Sequence, residues 1–274
     1  MATSEAGATS DAPQPLPLSS KWLSSTAALQ AEFHRAQPFP VLVLDDFLEP
    51  DLADGLIDEF PVIDAMPKSQ DYVFGNKREL SSIEQAGPAG TRFSEAMTDP
   101  AFAQFLTDVT GWDGLFVDPL FHGGGFHQGG DGSFLDMHTD FNIHPLHADW
   151  LRMLNVLIYL NRDWDEAWGG HLLIKSRVDE EPTAIAPTFN RAVIMLTADN
   201  TYHGYRKMAL PAGVTRKSIA TYAYRPIVEG SQAVRTTGWV PEGAGFAKRA
   251  LARNYNGLVR IKNRLFGSGT AGNR

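Results

Sequence analysis

Residues 151 to 174 read LRMLNVLIYLNRDWDEAWGGHLLI, in which two apolar runs are separated by a polar stretch that ends at Gly169-Gly170. Similar short apolar runs, each bounded by turn-forming residues, occur from Leu115 onward. They are LFVDPLF before this stretch and RAVIML and SIATYAY after it. Several short strands at this spacing predict an antiparallel barrel or jelly roll.

The chain before Leu115 is predicted to contain helices and one strand. Pro50 and Pro100 each follow an acidic residue and open a helical pattern. The predicted elements are a helix over 21–36, a strand over 39–47, a helix over 49–60, and a helix from Asp99 to near Gly111. Together with the strands that follow, they predict a fold that is mainly β with flanking helices.

We expect one catalytic domain with appendages, because the chain has 274 residues and all-β domains of roughly 200 to 250 residues are common. Residues 1–20, rich in Ala, Ser, Thr and Pro, are predicted to be a disordered leader. Residues 21–242 are the predicted domain, with a β core at about 115–228. Residues 243–274 lack acidic side chains and are predicted to form a basic helical extension.

The composition argues against several classes of function. A net charge of -8 does not fit a general nucleic-acid binder, which needs a basic surface. No window approaches the roughly 20 apolar residues of a membrane span, so no stable membrane insertion is expected. The first residues do not resemble a secretory signal, and the cytoplasm is the expected location. Because cysteine is absent, any metal must be held by imidazole and carboxylate groups.

One short motif offers two metal ligands from the end of a strand. His138 and Asp140 are two residues apart, and alternate side chains of a strand point to the same face. His203 follows the run RAVIML, where a jelly roll can bring it beside the first pair. Two imidazoles and one carboxylate form the ligand set of non-haem Fe(II) oxygenases. The alternative is a chance pair together with an unrelated histidine.

Arg216 is a candidate anchor for an anionic group. It lies thirteen residues after His203, beyond the turn at 211–213 and at the start of VTRKSIATYAY. A guanidinium there can hold a carboxylate through two parallel hydrogen bonds. A surface ion pair is the alternative role, and Lys217 and Arg225 are the next candidates for the anchor.

These elements, taken in order, resemble the 2-oxoglutarate-dependent prolyl 4-hydroxylases, including the hypoxia-sensing ones. The YLN-x-DW and GG elements of residues 151 to 174 carry the resemblance, which continues through NRAVIMLTADNTYHGY and VTRKSIATYAY. It covers about residues 115 to 228. The chain is thus identified as similar to the prolyl 4-hydroxylase-like branch of the Fe(II)/2-oxoglutarate-dependent oxygenase superfamily.

The resemblance implies a fold, a site and a reaction. The core is expected to be a double-stranded β-helix of the jelly-roll or cupin-like type. His138, Asp140 and His203 are expected to bind Fe(II), and Arg216 and Tyr159 to bind one carboxylate of 2-oxoglutarate. Dioxygen is then the second co-substrate, with ascorbate as a candidate reductant. Hydroxylation with release of succinate and carbon dioxide is the expected outcome.

The chain departs from the hypoxia-sensing enzymes before the His138 motif. Where they have a tyrosine near the other end of 2-oxoglutarate, this chain has His127-Gln128, within a glycine-rich run that is predicted to be a mobile loop at the site entrance. His144 and His147 form an HxxH pattern, but Pro145 disfavours a regular helix. We therefore predict a substrate-facing or ordinary surface loop there.

The leading hypothesis is an enzyme that hydroxylates a C–H bond of a small metabolite. Its alternatives are a peptidyl-prolyl hydroxylase-like enzyme, a catalytically silent jelly-roll binding protein, and a cupin-type metal isomerase or hydrolase. The Arg216 anchor has no evident purpose in the last of these. A homodimer is left open.

Overall fold

The computed structural model describes residues 15–179, 181–227, 234–241, 245, 248 and 250–252. Five α-helices precede most of the strands: α1 Ser20–Leu23, α2 Thr26–Arg35, α3 Pro50–Asp58, α4 Pro88–Thr98 and α5 Pro100–Thr110. The helices predicted over 49–60 and 99–111 are confirmed as α3 and α5. Asp99 caps α5 by accepting a hydrogen bond from the Ala101 amide, and Gly111 ends it with φ 72°.

Two helices differ from the sequence prediction. The helix predicted over 21–36 is two helices, because the hydroxyls of Ser24 and Ser25 bond to carbonyls three and four residues earlier and compete with the backbone. Helix α4 was not predicted. It follows Gly87, and the Glu59 carboxylate accepts hydrogen bonds from the amides of Ala89 and Gly90 in its first turn.

The strands form one continuous, curled sheet in which every pairing is antiparallel. They are β1 Val41–Leu44, β2 Lys68–Tyr72, β3 Gly75–Leu80, β4 Phe116–Val117, β5 Gly125–Gly129, β6 Phe134–Thr139, β7 Trp150–Tyr159, β8 Leu172–Lys175, β9 Thr183–Ile185, β10 Arg191–Leu196, β11 Tyr202–Tyr205, β12 Arg216–Pro226 and β13 Gly238–Trp239. The order across the sheet is β1-β10-β7-β12-β5-β3-β6-β11-β8-β9. The prediction of a mainly β fold with flanking helices is confirmed.

Strand β7 shows how the sheet separates the core from a cavity. Its outward residues Leu154, Val156 and Ile158 are buried in the main hydrophobic cluster, which also contains residues of α2, α3, α4 and α5. Its inward residues, among them Asn155 and Tyr159, line the cavity on the concave side. The alternation of a strand therefore uses one element for both packing and site construction.

The glycine-rich run is a strand and not the mobile loop that the sequence predicted. Residues 125–129 pair with both β3 and β12 and are buried. Gly125 has φ 93°, and a Cβ at this position would lie 2.2 Å from the Leu80 carbonyl oxygen. The glycine is required because the backbone of β3 passes so close to it.

The predicted boundaries can be compared with the structure only in part. Residues 1–14 of the predicted leader lie outside the described residues, but Leu18 is buried and pairs with Leu48, so packed structure begins before Lys21. Of the predicted basic extension, Lys248 and 250–252 have helical backbone, and most of the remainder is not described. Among the helices of the described chain, none has the length and apolar character to cross a membrane.

Candidate metal and co-substrate site

The structure brings the three predicted metal ligands together. His138 is on β6, Asp140 follows the end of that strand, and His203 is on β11, directly opposite His138 in the pairing of the two strands. One candidate ligand atom from each side chain lies within 4.8 Å of the other two. The Asp140 carboxylate is 3.6 Å from the His138 Nε2 atom and 3.8 Å from the His203 Nε2 atom.

The imidazole of His138 is oriented by a backbone carbonyl. Its Nδ1 atom lies 2.9 Å from the carbonyl oxygen of Asp136, and because a carbonyl can only accept, Nδ1 carries the proton. In the neutral ring Nε2 is then the atom with the free lone pair, and it lies on the side of the ring nearest the Asp140 carboxylate, at 3.6 Å. A histidine ligand whose second nitrogen donates in this way is held in both tautomer and orientation.

One oxygen of Asp140 is held by neighbouring side chains. Its Oδ2 atom accepts a hydrogen bond from the Asn155 amide at 3.2 Å and lies 3.3 Å from a nitrogen of Arg152. Arg152 is only 1% exposed, and its guanidinium is stacked between the rings of Phe141 and Tyr222, 3.7 and 3.6 Å from their centroids. These contacts leave Oδ1 as the oxygen with fewer partners.

The electrostatics of the site keep its groups in the forms that bind metals. Burial opposes the ionisation of Asp140, but His203, His138 and Arg152 together outweigh it and hold the pKa of Asp140 below its usual range. Burial, reinforced by the neighbouring His138, lowers the pKa of His203 to about 3. At neutral pH the site therefore offers an ionised carboxylate and a neutral His203 imidazole.

These donors fit Fe(II). Metal ligands must be deprotonated, and Asp140 and His203 are already so at neutral pH. Two histidines and one carboxylate on one side leave further coordination positions for co-substrates. Cysteine is absent from the chain, so a thiolate site of the kind that selects structural zinc is excluded.

Arg216 lies in the same cavity as the three ligands. It is 7% exposed, its Nε atom donates to the Gly170 carbonyl oxygen at 2.7 Å, and one terminal nitrogen donates to the Tyr159 hydroxyl at 3.3 Å. The ring of Tyr205 lies 4.4 Å from the guanidinium carbon. Within the part of the chain that the structure describes, no carboxylate pairs with this buried cation.

Gly170 and Tyr159 come from the sequence elements that first indicated the site. Gly170 has φ 69°, and a Cβ there would lie 3.2 Å from the Arg216 side chain and 2.6 Å from the sulfur of Met208. The glycine thus lets the chain turn close to Arg216. Burial raises the pKa of Tyr159, so its hydroxyl stays protonated and can donate to a ligand.

The cavity that joins the two groups has a volume of about 180 Å³ and is lined by residues of the concave face of the sheet. Its walls combine apolar side chains such as Leu157 and Leu172 with charged ones that the sequence did not single out. Among the described residues, the further charged side chains that line it are Lys77 and Glu79 of β3. A cavity of this composition can bind a small polar molecule and exclude bulk water.

His127 lines the cavity beside Lys77 and Glu79. Burial lowers the pKa of His127 to about 3, and the nearby Lys77 cation adds to this effect. The Lys77 ammonium lies 3.3 Å from the Nδ1 atom, which must accept because an ammonium can only donate. The proton of the neutral ring is therefore on Nε2.

Other candidates from the sequence lie elsewhere. His144 is buried and bonded to Asp118 at 3.2 Å, with aromatic rings around it, and neither it nor His147 lines the cavity. The side chain of Lys217 bonds to Thr215, and Arg225 is near the far end of β12. Neither of these two cations lines the cavity.

Several residues of the site were missed by the sequence analysis. Asn155 could have been found, because it interrupts the apolar run MLNVLI at 153–158. Arg152 could not, since its inward direction depends on a bulge: Ala223 pairs with Leu154 but Tyr224 pairs with Arg152, so one residue of β7 is skipped. Lys77 and Glu79 belong to a hairpin for which the apolar pattern gives no signal.

Comparisons with known proteins point to one superfamily. Residues 124–224 match the family model described as the 2OG-Fe(II) oxygenase superfamily. This segment includes all three predicted metal ligands as well as Arg216 and Tyr159. No curated protein matches the chain.

Two solved structures are similar in fold. A prolyl-4-hydroxylase from Pseudomonas putida has a TM-score of 0.53 and 19% identity, over 74% of this chain and 100% of that one. A prolyl hydroxylase from Trichoplax adhaerens, in complex with a fragment of hypoxia inducible factor, has a TM-score of 0.52 and 14% identity, over 76% and 94%. The likeness confirms the predicted jelly-roll core, the double-stranded β-helix.

Proposed function

We propose that this chain, whose residues 124–224 match the model of the 2OG-Fe(II) oxygenase superfamily, hydroxylates a C–H bond of a small metabolite. Fe(II) and 2-oxoglutarate are its cofactor and co-substrate. In the proposal His138, Asp140 and His203 bind the metal, and Arg216 with Tyr159 binds the distal carboxylate of 2-oxoglutarate. The balanced reaction converts substrate, dioxygen and 2-oxoglutarate into alcohol, succinate and carbon dioxide.

The observation that carries the proposal is the buried Arg216 guanidinium in the cavity of the three metal ligands. A buried cation is costly unless an anion pairs with it, and the described residues provide no carboxylate for it. A co-substrate with a carboxylate at the end opposite its metal-chelating atoms supplies that partner. A purely scaffolding metal site, or a cupin-type isomerase, has no such requirement.

The side chains have distinct roles in the proposed reaction. Bound Fe(II) supplies the redox chemistry that couples decarboxylation of 2-oxoglutarate to oxidation of the substrate. Asn155 and Arg152 hold Oδ2 of Asp140, so that Oδ1 is the oxygen that would be left to bind the metal. Apolar side chains such as Leu157 keep bulk water from the co-substrate, which strengthens the ion pair of its carboxylate with Arg216.

The form of the cavity supports a small substrate. About 180 Å³ is less than the roughly 300 to 1,000 Å³ of common ligand pockets, and 2-oxoglutarate takes up part of it. The Lys77 and Glu79 side chains, 2.6 Å apart, give the wall of the cavity polar groups of both signs. A peptidyl-prolyl substrate is the second candidate, because the similar folds are those of prolyl hydroxylases.

Succinate release tests the proposal. We expect purified protein with Fe(II), ascorbate and 2-oxoglutarate to form succinate slowly without substrate, and faster with a metabolite that is hydroxylated. A parallel series with proline-containing peptides separates the two substrate classes. No succinate above a no-enzyme control, with iron loading confirmed and both series supplied, supports instead a silent jelly-roll binding protein.

A further inference from the structure

A short extended segment, residues 234–241, crosses the strand end that carries two of the metal ligands. We call this segment the strap. It contains β13, which pairs with β6 so that Trp239 is opposite His138 and Gly238 is opposite Thr139. The strap lies outside the part of the chain that matches the oxygenase family model. It therefore reaches the proposed metal site from outside the matched segment.

Backbone hydrogen bonds join the strap to the ligand segment at both ends. The Val240 amide donates to the Met137 carbonyl oxygen at 2.8 Å. At the other end the Asn142 amide donates to the Arg235 carbonyl at 3.2 Å, and the Arg235 amide donates to the Asn142 side chain at 2.6 Å. These bonds bracket residues 138–140, so the position of the strap is fixed relative to both ligands.

Side chains of the strap also contact the ligand segment. Arg235 donates from Nε to the backbone carbonyl of Asp140 at 3.3 Å, and Thr237 and Trp239 line the cavity. Alternate residues of an extended segment point to the same side. Arg235, Thr237 and Trp239 therefore lie on one side of the strap, and the last two form part of the cavity wall.

Trp239 stacks directly on a metal ligand. Its ring lies 4.8 Å from the His138 ring with an interplanar angle of 28°, and 4.9 Å from the Phe74 ring with an angle of 12°. Trp239 is 8% exposed and Phe74 is 1% exposed. The three rings form a buried stack that begins in a hydrophobic cluster and ends at the face of His138.

The stack and the Asp136 hydrogen bond restrain the imidazole in different ways. The Asp136 carbonyl holds the edge of the His138 ring at Nδ1, whereas Trp239 covers one face. Rotation about the Cβ–Cγ bond of a histidine is otherwise soft, because this torsion has broad minima. Any such rotation of His138 loses the hydrogen bond and the stacking contact together.

We propose that Trp239 is a positioning residue of the metal site, which holds the His138 imidazole so that Nε2 faces the metal. The strap, which lies outside the segment that matches the oxygenase family model, thereby contributes a side chain to the metal site. The inference rests on the proposed function in one respect, namely that His138 binds the metal. A simple packing role for Trp239 requires only an apolar side chain of similar volume and predicts no effect on the metal.

Co(II) titration of purified variants separates positioning from packing. We compare Trp239→Phe, which keeps an aromatic face, with Trp239→Leu, which keeps an apolar side chain without one. Trp239→Leu should weaken Co(II) binding by about tenfold, the lower end of what an outer-shell partner of a ligand contributes, and should alter the visible Co(II) spectrum. Trp239→Phe should stay within about threefold of the unaltered protein. The control Trp22→Leu, at a site that bonds to Asp45, should match the unaltered protein.

Tryptophan emission gives a second readout that needs only well-folded proteins. Co(II) at His138 should quench the emission of the stacked Trp239, whereas diamagnetic Zn(II) should not. The quenched part of the signal should be absent in Trp239→Phe, although five other tryptophans remain in that variant. Thermal melts of the metal-free proteins verify folding.

The outcomes distinguish the inference from the function on which it rests. If the unaltered protein binds Co(II) and His138→Ala does not, but Trp239→Leu binds with unchanged affinity and spectrum, the positioning role is wrong and the proposed function stands. Co(II) quenching that is undiminished in Trp239→Phe likewise contradicts the stack. If His138→Ala binds Co(II) as well as the unaltered protein does, the proposed metal site is wrong, and the role of Trp239 is wrong with it.

Discussion

Replacing Arg216 by alanine separates binding of the co-substrate from binding of the metal. Of the five N–H groups of its guanidinium, one donates to Gly170 and one to Tyr159, which leaves three for a ligand. A hydrogen bond to a charged group contributes about 1.5 to 3 kcal/mol, and an unpaired buried carboxylate costs more. Arg216→Ala should therefore weaken 2-oxoglutarate at least tenfold, since about 1.4 kcal/mol is one factor of ten.

Three further variants calibrate this effect. Arg216→Lys should recover only part of the affinity, because an ammonium cannot donate to Gly170 and to a carboxylate in the planar geometry of a guanidinium. Tyr159→Phe removes one hydrogen bond from an uncharged donor and leaves the Arg216 cation in place, so it should weaken 2-oxoglutarate less than Arg216→Ala does, by about twofold to tenfold or roughly 0.5 to 1.5 kcal/mol. Lys217→Ala is the matched control, because it removes the cation next in sequence, which does not line the cavity.

The assay is titration of 2-oxoglutarate into iron-loaded protein without oxygen, followed by the visible charge-transfer band of the chelate. A parallel Fe(II) titration should give nearly the same affinity for Arg216→Ala as for the unaltered protein, because Arg216 contacts none of the three metal ligands. Equal 2-oxoglutarate affinity in both proteins refutes the anchor. An effect of Lys217→Ala or Arg225→Ala in its place moves the anchor to that residue.

Asp140→Ala should abolish succinate formation, because it removes a proposed ligand that borders the cavity, and unaltered turnover contradicts this. The variant also leaves the buried Arg152 cation without its carboxylate, so a thermal melt verifies that the protein assayed is folded. Removing the metal with a chelator should lower the melting temperature of the unaltered protein, because metal at about 100 times its dissociation constant stabilises the folded state by about 2.7 kcal/mol. The same chelator should not change the melting temperature of Asp140→Ala, which lacks the proposed site. The depressed pKa of His127, about 3 against 6.5, means that its contribution to stability is complete above pH 6.5 and is lost as pH falls toward 3. As pH decreases through that window, the unfolding free energy of metal-free His127→Gln should therefore fall less steeply than that of the unaltered protein, by about 1.4 kcal/mol per pH unit. Denaturant titrations that give the same slope for both proteins contradict a buried neutral His127.

The proximity of the three proposed metal ligands could be predicted because their signal is local. Two strand residues at positions i and i+2 share a face whatever the rest of the chain does, and the order of His203 and Arg216 along a jelly roll follows from its connectivity. Chemistry then restricted the choice, since a chain without cysteine has few ways to hold a metal. The assignment of roles to Tyr159 and Arg216 remains a prediction that the titrations test.

Other parts of the site depend on contacts that are distant in sequence. Trp239 stacks on His138 across about a hundred residues, and no pattern near either residue indicates that contact. The sequence predicts a loop around His127, because it lies in a glycine-rich run and glycine weakens a strand. In this protein Gly125 is needed for the opposite reason, since the neighbouring strand passes so close that only a glycine fits between two paired backbones.

The two faces of strand β7 have a consequence for how substitutions can act on this protein. Leu154, Val156 and Ile158 pack against the helices, whereas Asn155 and Tyr159 face the cavity. Because side chains alternate, sliding β7 by one residue would place apolar groups at the site and polar groups in the core. The register of β7 that buries its apolar residues therefore also fixes the positions of Asn155 and Tyr159 in the cavity. A truncation such as Val156→Ala is then expected to reduce the folded fraction, while the molecules that stay folded keep their substrate preference and intrinsic rate.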